Sequence, residues 1–106
     1  MDRNELLFAP LDDHRATAMR VFRITMEPSE CGGRHLHECT VIGVITDGIA
    51  VYEREGSPPE FLPAGSPFHE PANEVIVRFG NASSEVPMSF LAFYLVDGDK
   101  PLITML

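Results

Sequence analysis

A chain of 106 residues, 44% hydrophobic and 23% charged, has apolar side chains for one core, which excludes paired catalytic lobes and long repeat arrays. Its 16 acidic and 8 basic residues give a formal charge of -8, a field that repels phosphate backbones and anionic lipid. Neither nucleic acid nor a membrane surface is therefore an expected partner. The richest apolar runs, FLAFYLV and VIGVIT, end well short of the roughly 20 residues that a spanning helix needs.

The N-terminal part, residues 1–18, has no clean period and reads as an arm or an edge strand. His14, beside Asp12 and Asp13, reads as a solvated surface histidine. The start MDRNELLFAP lacks the basic residues and apolar run of a secretion signal, and Cys31 and Cys39 are too few and too close for a disulfide framework. The cytoplasm is the expected compartment. In MRVFRITME, residues 19–27, Phe22, Ile24 and Met26 fall on one face and Arg23 and Thr25 on the other, which is the alternation of a half-buried strand.

A turn over 28–33 leads into RHLHE and the β-branched run TVIGVIT. Asp47-Gly48 is a tight hairpin signal, and IAVYE returns antiparallel. The turn 55–59 precedes EFLP, Ala64-Gly65 precedes SPFHE, and the loop 71–74 precedes VIVRF, closed by Gly80-Asn81. The last long strand, MSFLAFYLV, ends near Asp97, so the barrel is expected over 19–97 with a C-terminal tail over 98–106.

Seven or eight short strands and tight turns predict a single all-β domain, a sandwich or small barrel. Strict alternation in VIVRF sets Val75, Val77 and Phe79 opposite Ile76, and FLAFYLV is apolar at both parities. One interior cannot take both faces, so a homodimer that buries the second is expected.

Two stretches carry a resemblance. GGRHLHECTVIGVITDG supplies Gly33, His35, His37 and Gly48, and PAGSPFHEPANEVIVRFGN supplies Pro63, Gly65, Pro71 and Asn81. Together with the strands between them they cover about two thirds of the chain, and in order and spacing they resemble the two motifs of the small single-domain cupins. The resemblance implies an antiparallel jelly-roll barrel. It also implies a four-ligand metal centre, but the position of the family's glutamate falls on Val41 and that of its second-motif histidine on Ile76, neither of which can bind a metal.

His35 and His37, two apart on an extended chain, point to one face, as the first two ligands of a divalent metal must. Two readings stand: one divalent ion (zinc, iron, manganese or nickel), or no cofactor. A third ligand is sought at Cys39, which also reads as a small buried hydrophobe, at His69, or at Glu70. In SPFHEP, Phe68 and Glu70 share a face opposite His69, and the resemblance turns that face inward; Glu70 then becomes a candidate acid or base, the alternative being a surface glutamate. Arg78 shares the face of Ile76, which the resemblance assigns to the interior, so it could pair with Glu70 or bind a substrate anion, the alternative being an arginine on a half-exposed strand; Val41, Ile76 and Phe68 would line the pocket.

The function read from these residues is small-molecule binding in a cupin barrel. It is either metal-dependent catalysis with Glu70 moving protons, or metal-free binding or sensing in an apolar pocket.

Overall fold

The computed structural model describes residues 1–11 and 15–106, so the reading of His14 lies outside the described residues. The described residues form strands and turns with no helix, hence none long and apolar enough to cross a membrane. The ten strands are β1 (Ala18–Met26), β2 (Cys31–Gly32), β3 (His35–Leu36), β4 (Thr40–Asp47), β5 (Ile49–Arg54), β6 (Glu60–Pro63), β7 (Pro67–Glu70), β8 (Ile76–Asn81), β9 (Met88–Val96) and β10 (Thr104–Met105).

They build two antiparallel sheets that face each other. One has the order β1-β9-β4-β7, the other β10-β3-β8-β5-β6 with β2 also on β8. Alternation directs Val41 and Ile45 of β4, Phe68 and Glu70 of β7, and Phe90 and Ala92 of β9 into the space between the sheets. There Phe68, Phe79 and Phe90 meet in tilted and edge-on ring contacts with centroids 4.9 to 5.8 Å apart.

Gly43 is what lets the Phe68 ring approach β4 so closely. A Cβ there would stand 2.2 Å from the Phe68 ring and 2.4 Å from the Leu91 carbonyl oxygen, an overlap that packing cannot absorb. Gly48 makes the β4–β5 hairpin at φ +78, with the Pro87 carbonyl 2.9 Å from where a Cβ would sit. Asn81 is structural. Its buried amide donates to the Val86 carbonyl at 2.7 Å and the Glu27 carbonyl at 3.2 Å, and its oxygen accepts from the Ser83 amide, so one side chain ties the end of β8 to the end of β1 and the β8–β9 loop.

Strict alternation fails in β8. Glu53 pairs with Arg78 and Arg54 with Ile76, so Val77 is an extra residue without a partner on β5. This bulge reverses the parity downstream. Ile76 and Phe79 are both buried although three apart, and Arg78, expected inside with Ile76, is turned out with its side chain 44% exposed and ion-paired to Glu53 at 3.0 Å.

The outer face of the first sheet is apolar too. Met19 pairs with Leu95 and Val21 with Phe93, which in turn pairs with Ile42. Met19 and Val21 are more than half exposed, as are Leu6 and Phe8 of the N-terminal segment. The C-terminal residues add β10, whose Thr104 and Met105 pair with Leu36 and His35.

Candidate metal centre

His35 and His37 lie on and just after β3, the shortest strand class in the fold, and both rings are 4% exposed inside the barrel. Their Nδ1 atoms are each 2.6 Å from a backbone carbonyl, His35 from Gly33 and His37 from Leu102. A carbonyl only accepts, so each Nδ1 carries the proton and donates, and the free lone pair of each neutral ring is on Nε2. This is the arrangement that fixes tautomer and orientation in metal-ligating histidines.

Glu70, the last residue of β7, is likewise 4% exposed and places Oε2 2.6 Å from His37 Nε2. A lone pair and a carboxylate oxygen approach so closely only with a positive species between them, here a proton, since two ligands on one metal ion stand about 3 Å apart. Burial pushes the proton affinity of His37 down, but the hydrogen bond to Glu70, its charge and the Leu102 carbonyl together raise it above the ordinary 6.5. Donor atoms of His35, His37 and Glu70 all lie within 4.8 Å of one another, so these three side chains could hold a metal ion. Two imidazoles and one carboxylate suit zinc and non-haem iron alike.

The carboxylate stands one strand from where the motif would put it. Val41 is paired directly with Glu70 on β7 and with Tyr94 on β9, so Tyr94, Val41 and Glu70 form one row across the sheet, facing inward. Ile76 is paired with His35 and packs in the core.

The three polar side chains open onto a cavity of about 130 Å³. Val41, Phe68, Phe90 and Tyr94 line one side, Phe79 the other, and Ile103 and Met105, on either side of Thr104 in the C-terminal segment, lie at its edge. Tyr94 sets its ring edge-on to His37 with centroids 5.6 Å apart, and burial, then the charge of Glu70, push its hydroxyl up to about 12.

Of the residues singled out in the sequence, His35, His37 and Glu70 come together, and Val41 and Phe68 line the cavity beside them. Ile76 is fully buried but does not line it, and Arg78 is outside, for the reason the bulge gives. Cys39 belongs to the core and borders a separate small hollow with Glu38 and Lys100; burial raises its thiol further from thiolate. His69 takes the outer face, in a hollow with Leu7 and Arg54, where its Nε2 is buried without a partner among the described residues and burial lowers its proton affinity. Tyr94 and the Leu102 carbonyl were not foreseen. Tyr94 sits in a run apolar at both parities, and a backbone carbonyl has no signature in sequence.

No family model matches the chain, and no curated protein does. Solved structures do. A cupin-like protein from Thermotoga maritima superposes with a TM-score of 0.74 at 23% identity, over 83% of this chain and 64% of that one. The fold is that of the cupins. A DMSP lyase from Ruegeria pomeroyi follows at 0.71 and 20%, over 82% of this chain and 42% of its own. An RmlC-like cupin from Methanocaldococcus jannaschii, described as a double-stranded β-helix, matches at 0.65 and 18%, over 73% and 69%. The chain thus spans less than two thirds of the length of the first two.

Proposed function

We propose that this cupin domain binds a small organic molecule in its barrel, with one divalent metal ion held by His35, His37 and Glu70 at the polar end of the cavity. The observation that carries the reading is the contact of Glu70 Oε2 with His37 Nε2 at 2.6 Å while both Nδ1 atoms are committed to carbonyls. The group is arranged around a positive charge, and a metal ion displaces the proton that fills that place otherwise.

When bound, the ion supplies a Lewis-acid centre for an oxygen of the bound molecule. The chain's own residues do the rest. Gly33 and Leu102 orient the imidazoles, Glu70 shares a proton with His37 Nε2 only until the ion takes that place, and Phe68, Phe79 and Phe90 keep water from the opposite wall. Zinc, iron, manganese and nickel all accept this donor set.

A metal-free binding or sensing module is the second reading, favoured by Val41 and Ile76 at two positions where the cupin motifs carry ligands. Calorimetric titration of the chelator-treated chain with Zn²⁺ separates the two. One ion per chain is expected, with binding abolished in His35→Ala, a variant that leaves the His37–Glu70 pair in place; unchanged binding in that variant would refute the assignment.

The outer face carrying Met19, Val21 and Phe93 supports a further part of the proposal. A second copy of the chain covers it in a homodimer.

A further inference from the structure

The chemistry of the cavity narrows the class of ligand, and this step rests on the metal reading above. None of the described residues lining the cavity is a lysine or an arginine. A divalent ion held by two neutral imidazoles and one carboxylate keeps one net positive charge, enough to balance a single anionic group. A second anionic group, as in a dicarboxylate or a phosphate ester, would stand unpaired against Phe68, Phe79 and Phe90 and pay for its lost hydration.

Size points the same way. A cavity of about 130 Å³ is close to the engineered apolar cavity of roughly 150 Å³ that binds benzene. The body of the ligand is therefore compact and apolar.

Besides the Nε2 of His35, a second polar atom of the cavity has no hydrogen-bond partner among the described residues. Tyr94 lines it, edge-on to His37 and in one row with Val41 and Glu70, yet its hydroxyl makes no hydrogen bond among the described residues. The other tyrosine, Tyr52, donates to the His69 carbonyl at 2.8 Å, as a phenol in apolar surroundings ordinarily does. The Tyr94 hydroxyl is left as a donor for whatever enters.

We propose that the site takes a compact monoanionic oxygen ligand with an apolar body, its charged end at the His35–His37–Glu70 group and its second oxygen accepting from the Tyr94 hydroxyl. A small branched monocarboxylate is the simplest molecule of this kind.

The test uses the full chain loaded with Co²⁺, whose visible absorption bands report a ligand entering the coordination sphere, and three probes: isobutyrate, malonate and inorganic phosphate. Isobutyrate is expected to perturb the bands with a dissociation constant at least about tenfold below that of either other probe. Tyr94→Phe is expected to retain one cobalt per chain and to bind isobutyrate about tenfold more weakly, the loss of one hydrogen bond to a charged acceptor. Malonate or phosphate binding as tightly as isobutyrate overturns the ligand class, and unchanged isobutyrate binding in Tyr94→Phe overturns the role of the tyrosine. A chain that takes up no cobalt fails earlier and differently, because it overturns the metal reading on which this one stands.

Discussion

Burial acts on the protons of Tyr52 and Tyr94 in one direction, and they are the only two tyrosines in the chain. An exposed tyrosine is half ionised near pH 10. Burial first, and the negative charge of Glu70 second, raise both hydroxyls well above that, Tyr94 to about 12. Near-ultraviolet phenolate absorbance of the folded protein should therefore stay almost flat through pH 10, and half-titration of either tyrosine at pH 10 in folded protein would contradict this environment. The sign for stability follows. The contribution is fully present below pH 10 and declines as pH rises toward the folded values, because the unfolded chain then releases protons that the fold retains. At this scale the sequence was legible where spacing decides orientation: His35 and His37 by their separation of two, and Glu70 by sharing a face with Phe68. Tyr94 was not legible, because aromatic residues in a strand apolar on both faces read as core.

The strand pairing explains why a chain with valine where the cupin motif has glutamate still sets a carboxylate beside His35 and His37. Val41 and Glu70 are partners across β4 and β7, and directly paired Cβ atoms lie about 4.5–5.5 Å apart, so the carboxylate has moved across one strand spacing. Exchanging the two residues tests this. Glu70→Val should weaken metal binding by more than the roughly 10–100-fold that loss of an outer-shell partner costs, and adding Val41→Glu should restore part of it. A double variant no better than the single one would show that the row across the sheet does not position the carboxylate. The strands and hairpins follow from alternation and turn residues, as at Asp47-Gly48. What alternation could not show is the bulge at Val77, since one unpaired residue leaves no mark in composition and yet sends Arg78 to the surface. Nor could it show β10, two residues long, whose stability comes from pairing with β3 rather than from any pattern of its own.

For the whole molecule, the net charge of -8 favours cations in general, and among the described residues His35, His37 and Glu70 are the group whose donor atoms lie close enough together to hold one. The apolar outer face of the β1-β9-β4-β7 sheet leads to a prediction about assembly. Sedimentation at micromolar concentration should give a dimer, and Val21→Lys with Phe93→Lys should shift it to monomer without unfolding; a wild-type chain that sediments as a monomer would contradict the proposed interface.

Whether His35, His37 and Glu70 hold a metal ion is decided by element analysis of the chain purified without an affinity tag and without chelator. Close to one divalent ion per chain is expected, lost in His35→Ala and in Glu70→Val while circular dichroism still reports a folded β protein. Wild-type protein without metal even after incubation with zinc or iron(II), or full occupancy in either variant, would contradict this expectation.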